Sequence, residues 1–459
     1  MTKNSYEMDM CSGPLTKKIL IFSIPLMCSG ILQLLFNAID MIVVGQYSGN
    51  EALAAVGSTA PLINLLVNIF IGLSIGTNVL IAQAYGAHNH QDMHETLHTS
   101  ILLSIICGFF LSFMGILLAK PLLLLMGTPD EVIELATLYM KIYFVGMPAM
   151  LLYNFGSSIL RAMGDTKRPL YFLLIAGVIN ALLNLVFVII FKMSVAGVAL
   201  ATVISQCISA LLIILCLMHT PGGCQLTLSK LHINKTVLLR IMRIGLPAGF
   251  QGAIFSISNV LIQSSVNSFG AIAMAGNAAT TNLEGFVYTS MNAFHQTALS
   301  FTGQNIGGKK YDRIKPILRV CLISVFVVGS TMSLLFFIFR FPLLRLYSSD
   351  SEVITYGVIR MKIIFSTYFL CGIMDVLVGS IRGLGYSVIP MIVSLLGACG
   401  LRILWIFTVF KLMPTLTTLY ISYPVSWGIT LMVHFLCFKI LYNKIQDERR
   451  LPLLNQSNY

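Results

Sequence analysis

The sequence predicts an all-α integral membrane protein of twelve transmembrane helices, arranged as two parallel six-helix repeats. Three observations predict it: long apolar runs, a lopsided distribution of basic residues, and a chain that repeats itself. Of the 459 residues, 57% are hydrophobic and 10% charged, whereas soluble domains carry about a quarter charged residues. Apolar runs of roughly 20 residues recur, each long enough at about 1.5 Å per residue to cross a hydrocarbon core about 30 Å thick. Twelve are expected, with cores at 19–44, 59–84, 97–118, 132–155, 170–190, 195–217, 241–266, 278–303, 317–339, 353–379, 389–410 and 416–441. No cleavable signal segment is read before the first run, which is expected to act as an uncleaved anchor.

A net charge of +12 could suit a nucleic-acid partner, but its distribution speaks for a membrane. Of the 29 Lys and Arg residues, 20 fall in the segments that share a side with the termini. Only Lys120, Lys192, Arg340, Arg345 and Lys411 fall opposite, and Lys141, Arg360, Lys362 and Arg402 fall within spans. The positive-inside rule then puts both termini in the cytoplasm, with the lipid bilayer as partner and no nucleic acid. The 10 cysteines are scattered through apolar runs without a Cys-x-x-Cys pair, which reads as packing and not as a disulfide or metal framework.

A shift of 221 residues superimposes the two halves. Gly49, Ala52, Ala54 and Thr59 fall on Gly270, Ala273, Ala275 and Thr280; Gln83 and Gly86 fall on Gln304 and Gly307; Arg161, Gly164 and Pro169 fall on Arg382, Gly385 and Pro390. Six spans per half is even, so both halves enter the membrane from one side as parallel repeats, and rocking of one bundle against the other is the expected mechanism. The expected division is an amino-lobe at 1–218, a cytoplasmic connector at 219–238, a carboxy-lobe at 239–445 and a disordered tail at 446–459.

Several of these pieces resemble the multidrug and toxic compound extrusion (MATE) family of bacteria, across essentially all twelve spans. They are Pro25 with Gln33-Leu-Leu-Phe-Asn-Ala-Ile-Asp40 and Val44-Gly45, Ala82-Gln83-Ala84-Tyr85-Gly86, and Arg161-Ala-Met-Gly-Asp-Thr-Lys-Arg-Pro169, with Gly303-Gln304-Asn305-Ile306-Gly307 and Ile381-Arg382-Gly383-Leu384-Gly385 in the second half. The resemblance implies a V-shaped pair of six-helix lobes in the inner membrane. It also implies a secondary antiporter that exports small amphipathic, often cationic compounds against inward proton or sodium flow, with no ATP, no cofactor, no catalytic residue and no resident metal. A monomer is expected.

Ionisable side chains within spans are costly and are functional candidates by default. Asp40 leads them, with Gln33 and Asn37 on the same helical face at i−7 and i−3. Helix 5 offers Asn180 and Asn184, helix 6 Thr202 and Gln206, and helix 2 Asn64 and Asn68; for Asn64, Asn68 and Gln206, interhelical hydrogen bonding is the competing reading. A carboxyl among neutral amides in an apolar bundle favours its protonated form, while its deprotonated form suits a hard cation. In the family resembled, the positions matching Asp40, Asn180, Asn184 and Thr202 form the amino-lobe ion site. Some members carry a second carboxylate where this chain has Asn184, so its absence favours H⁺ over Na⁺.

The second half offers a stripe of Thr281, Glu284, Tyr288 and His295 on helix 8, suited to a cationic substrate or to a proton relay between Glu284 and His295. By depth, Glu284 could equally be neutralised by Arg402. A structural salt bridge is expected between Asp375 and Arg382. One branch of the family places a carboxylate pair at positions aligned with Phe255 and Cys371, and this chain lacks both acids.

The run from Gly303 to Lys310 mimics a phosphate loop, but Lys310 replaces the Ser or Thr that magnesium needs and no strand precedes it. His90, His94 and His98 lie at i, i+4 and i+8 beside His88, a row open to zinc but expected to be a solvated helix face. Pro25, Pro61 and Pro148 mark candidate hinges, Pro25 first among them. A lipid or lipid-linked oligosaccharide flippase of the wider superfamily is the alternative function, and it would hold several cations in its central cavity.

Overall fold

The computed structural model describes residues 6–456, with side chains apart from those of Asn50 and of residues 448–456. The described chain is all helix and turn. In the first half, α1 spans Leu15–Tyr47, α2 Asn50–Gly86, α3 His90–Leu125, α4 Asp130–Val145, α5 Met147–Ala162, α6 Lys167–Asn184 and α7 Ser194–Met218. In the second half, α8 spans Lys235–Asn267, α9 Ala271–Gly307, α10 Ile314–Ile338, α11 Arg340–Arg345, α12 Ser351–Gly383, α13 Val388–Ser394, α14 Leu401–Trp405 and α15 Leu416–Gln456. Ten stretches are long and apolar enough to cross a membrane, and the pair α4–α5, bent by 48°, makes an eleventh. The twelfth place belongs to α9, whose 37 residues include Asn277, Thr280, Thr281, Asn282, Glu284, Asn292, His295 and Gln296; these dilute its apolar character.

The repeat is visible in backbone detail. α2 and α9 have equal lengths and begin after Gly49 and Gly270, with φ of 88° and 92°. His88 and Lys309 both adopt φ 54°, and Gly164 and Gly385 adopt 95° and 98°. Gly164 also leaves no room for a side chain, since a Cβ there would lie 2.5 Å from the Met8 carbonyl oxygen. A π-helical segment at Leu185–Ile190 recurs at Ile406–Phe410.

Two features break the repeat. α4 and α5 part at Gly146, with Pro148 just inside α5, where proline lacks the N–H that would continue the preceding helix. The equivalent helix α12 carries Thr367 and Phe369 at these positions and is unbroken. A second π segment, Leu395–Gly400, lies where the first half keeps regular α-helix. Pro25 and Pro61 sit inside α1 and α2 without interrupting either. The helix α15 continues through Gln456, where disorder was expected from 446; Gln446, Glu448, Arg449, Arg450 and Leu451 are good helix formers.

The chain forms two compact units, an amino unit of Met1–Asp9 with Ile24–Ser256 and a carboxy unit of Met10–Ser23 with Ile257–Tyr459. Their boundaries differ from those of the sequence repeat. The first part of α8 belongs to the amino unit because glycines let it approach α2: a Cβ on Gly72 would lie 2.2 Å from the Gly249 nitrogen, and one on Gly76 would lie 2.4 Å from the Ile241 oxygen. Such small-residue contacts are how helices pack where lipid removes the hydrophobic drive. The first part of α1 belongs to the carboxy unit, where Ser23 hydrogen-bonds Thr297 at 2.8 Å and Phe22 meets Phe301 edge to face at 5.6 Å. The unit boundary in α1 therefore falls between Ser23 and Ile24, one residue before Pro25.

Candidate functional site

In the amino unit, α1 supplies Asp40, α6 supplies Asn180 and Asn184 one turn apart, and α7 supplies Thr202. The Asn184 Nδ2 donates to Asp40 Oδ1 and, at 3.3 Å, to Asn180 Oδ1. Asn180 Nδ2 donates to Thr202 Oγ1 at 3.4 Å. With its amide turned over, Asn180 instead donates to Asp40 Oδ1 at 2.9 Å and accepts the Thr202 N–H at 3.3 Å; the network decides between the two orientations. Thr202 also reaches Asp40. Asn180 and Asn184 are buried, and the Asn184 Oδ1 has no partner among the described residues. Among the described residues, no Lys, Arg or His forms an ion pair with Asp40. The π segment begins immediately after Asn184, a placement common for π-bulges at functional positions.

The other amino-unit candidates stand apart. Gln33, Asn37 and Asn64 are exposed. Asn68 donates to Ser256 Oγ at 3.4 Å, and Gln206 packs against Gly146, where a Cβ would come within 3.0 Å of its Oε1.

In the carboxy unit the pairing of Glu284 with Arg402, one of the two readings left open by depth, is not formed. Glu284 receives Arg360 in a bidentate clamp, Nε to Oε1 at 2.6 Å and Nη2 to Oε2 at 2.7 Å, while Arg360 Nη1 donates to Asn277 Oδ1 at 2.7 Å. Tyr420 donates to the same Asn277 oxygen at 3.2 Å, and Asn277 Nδ2 donates to Gln263 at 2.8 Å. Both Glu284 oxygens are thereby bonded to Arg360. Arg402 donates from Nε to Ser426 Oγ at 2.9 Å and lies over the rings of Tyr423 and Trp427, 4.2 and 5.5 Å from their centroids.

The expected stripe on α9 is thus divided. Thr281 bonds back to the Asn277 carbonyl at 2.8 Å. His295 bonds through Nδ1 to the Asp375 carbonyl at 2.7 Å, and the Tyr288 hydroxyl reaches the Asp375 carboxylate. Asp375 and Arg382 form no ion pair among the described residues, although the charge of Arg382 acts on Asp375. The reading of Asp375–Arg382 as a salt bridge is therefore corrected: α9 packs along α12 and brings Tyr288 to Asp375.

The histidine row is solvated at His88 and His90, which are exposed, and departs from the expected solvated face at His98. No group of three metal-ligating side chains occurs among the described residues. His98 is buried, its Nδ1 on the His94 carbonyl at 2.8 Å and its Nε2 accepting the Thr227 N–H at 3.2 Å. Beside it, Glu95 accepts from His232 at 2.7 Å and from Asn234 at 3.1 Å. The row therefore docks the connector onto α3. The phosphate-loop mimic closes α9, where Gln304 accepts the Met10 N–H and Asn305 donates to the Met10 carbonyl, each at 3.1 Å.

Sequence reasoning placed Arg360 within a span without giving it a role, and missed Asn277, Tyr420, Tyr423 and Trp427. Asn277 lies seven residues before Glu284 on α9, so helical spacing alone places it on the face that meets Arg360.

The MatE family profile matches the chain twice, at residues 25–186 and 247–408, once in each repeat and over more than half of its length. The chain is 28% identical over 437 residues to the probable multidrug resistance protein YoeA of Bacillus subtilis, covering 94% of both proteins. It is 27% identical over 378 residues to a FAD transporter of Shewanella oneidensis, covering 78% of this chain and 82% of that one. A solved structure titled as the outward-facing conformation of a multidrug resistance MATE family transporter superposes with a TM-score of 0.90 at 22% identity, covering 97% of this chain and all of that chain. The chain, a multi-pass membrane protein, belongs to the MatE family.

Proposed function

We propose that this protein is a secondary antiporter that exports small amphipathic compounds, cationic drugs among them, by alternating access coupled to inward proton flow. The observation that carries this reading is the neutral surrounding of Asp40. Asn184, Asn180 and Thr202 hold the carboxyl in place, and no cation among the described residues fixes its charge, so it is free to gain and lose a proton. Sodium is the alternative ion. A hard cation needs several oxygens turned towards it, whereas Asn184 turns its nitrogen to Asp40; this favours the proton. The Bacillus subtilis relative supports drug export, and the Shewanella FAD transporter extends the range of cargo beyond cations. The basic residues support cytoplasmic termini in the bacterial inner membrane, and a monomer working without ATP completes the reading.

The test is ethidium efflux in everted vesicles under separately imposed proton and sodium gradients, with wild-type protein and Asp40→Asn. The proton gradient is expected to drive the wild type, and the variant to lose about tenfold or more of that gradient-driven rate, since ionisable groups within spans form proton relays. Wild-type transport by Asp40→Asn sinks the assignment of Asp40, and efflux driven only by sodium replaces the ion.

A further inference from the structure

Among the described residues, Arg402 is a buried cation without a matching anion. It lies on α14, a short α segment between the π segments Leu395–Gly400 and Ile406–Phe410, and only 3% of its surface is exposed. Its Nε is spent on Ser426, whose hydroxyl in turn donates to the Tyr423 carbonyl at 2.9 Å. The nearby acids are engaged elsewhere. Both Glu284 oxygens belong to Arg360, and Asp375 is held by the Tyr288 hydroxyl. Among the described residues, no carboxylate forms an ion pair with Arg402. Attraction to the Tyr423 and Trp427 rings offsets only part of the cost of removing a guanidinium from water.

The fold itself does not demand an arginine here. Under the 221-residue shift Arg402 falls on Ala181, in a helix that forms without it. A guanidinium whose Nε is already bonded still offers two parallel N–H donors at its outer edge, a match for the oxygens of a carboxylate or phosphate. The Tyr423 and Trp427 rings beside it, with Tyr368 5.5 Å from Trp427, form an aromatic wall suited to a flat apolar body.

We propose that Arg402 is an oxyanion-binding subsite of the carboxy unit, which takes the carboxylate or phosphate of an amphipathic aromatic compound against Tyr423 and Trp427. This deepens the export reading by adding anionic cargo, and rests on it only for the step from binding to transport. Glu284, the group suited to a cationic ligand, is already occupied by Arg360. The oxyanion could arrive on a soluble compound or on a lipid headgroup.

Binding by purified full-length protein in phosphatidylcholine nanodiscs, without any ion gradient, tests the subsite separately from coupling. Two xanthene dyes of similar shape serve as probes, fluorescein with its carboxylate and an esterified, cationic rhodamine. In Arg402→Gln the ratio of fluorescein to rhodamine affinity is expected to fall by about 30-fold, as when one partner of a buried charge pair is truncated; Arg402→Lys should keep part of that preference. A purely structural role would weaken both dyes together, and an unchanged ratio overturns the proposal. Should Arg402→Gln fail to fold, the wild type still decides: phenyl phosphate must displace fluorescein and spare rhodamine, and failure to do so overturns it. Displacement of fluorescein by phosphatidylglycerol in the disc identifies a lipid headgroup as the natural oxyanion, and displacement by phenyl phosphate alone identifies a soluble one.

Discussion

The amino and carboxy units place opposite chemistry on equivalent helices. In the amino unit, α6 offers Asn180 and Asn184 to a lone carboxyl on α1; at the corresponding turn of the carboxy unit, Leu401, Arg402 and Trp405 replace Asn180, Ala181 and Asn184. The carboxy unit keeps its own acid, Glu284, locked to Arg360 in a buried bidentate pair. The difference teaches what an acid inside a membrane can do. One ringed by neutral amides can exchange a proton with little rearrangement, whereas one clamped by a guanidinium can be neutralised only by exposing the cation. The repeat preserves several glycines, turns and one π segment, and leaves charge free to diverge.

The stability of two amide variants sharpens this contrast most. Glu284→Gln leaves Arg360 buried without its counter-charge, and should cost about 3–5 kcal/mol, the usual penalty for halving a buried ion pair. Asp40→Asn removes no counter-charge, so it should be close to neutral, within about 0.5 kcal/mol. Thermal unfolding of detergent-solubilised protein measures both. Replacing both partners, Glu284→Leu with Arg360→Met, should recover much of the loss, since apolar residues often replace a buried pair without penalty. Equal losses at Asp40 and Glu284 would break the comparison.

The amino-unit cluster was the more legible in the sequence because helical spacing and family resemblance select the same residues: Asp40, Asn180, Asn184 and Thr202 meet in the structure. The carboxy-unit network was not, and depth explains why. Counting residues from a helix end ranks Glu284 beside Arg402, but says nothing about which helices are neighbours. The face of α9 bearing Asn277 and Glu284 meets α12, and Arg360 reaches both residues. The same limitation hid the docking role of the histidine row, since a pattern on α3 cannot reveal that the connector folds back over His98. The overall plan was legible because lipid imposes it: apolar length and basic asymmetry report the bilayer itself. Only the polar α9 falls short of the apolar criterion as a helix, although its core at 278–303 was read as a span in the sequence.

A smaller effect should separate the units by packing. Gly177 and Gly397 lie one position apart under the repeat, and they face different helices. A Cβ on Gly177 would fall 1.8 Å from the Phe36 ring of α1, and one on Gly397 would fall 2.2 Å from Thr430 Oγ1 of α15. Phe36 lies one turn before Asp40, and Gly177 one turn before Asn180, so this contact sets how closely α1 approaches the amide pair. Both glycine-to-alanine changes should cost about 1–3 kcal/mol by overpacking. Only Gly177→Ala should also reduce proton-driven efflux, and Phe36→Ala in the same chain should restore part of it. Loss of efflux in Gly397→Ala alone would show that packing in the carboxy unit limits transport instead.

The smallest expected difference lies at the connector edge. There the amino unit is held by titratable groups, Glu95 with His232 and Asn234, whereas Arg313 of the carboxy unit donates to the Ser12 and Gly13 carbonyls at 3.2 and 3.0 Å. The Lys230 carbonyl and then Glu95 hold His232 above its ordinary range, so its contribution is full below that range and is lost as pH rises through the raised value. The hydrogen bond from His232 holds Glu95 below its ordinary range; its contribution is present above that range and is lost as pH falls through the lowered value. His94, held down by burial and by the charges of His98 and Lys230, opposes docking on the acid side. Connector docking should therefore be tightest between these limits and weaken on both sides, by less than about 1 kcal/mol because the pair is partly exposed. Hydrogen exchange of residues 222–234, corrected for the intrinsic pH dependence, should follow that profile while residues 10–13 do not, and His232→Gln should abolish the alkaline limb. Parallel pH profiles at the two edges would mean that the difference between the units ends inside the bilayer.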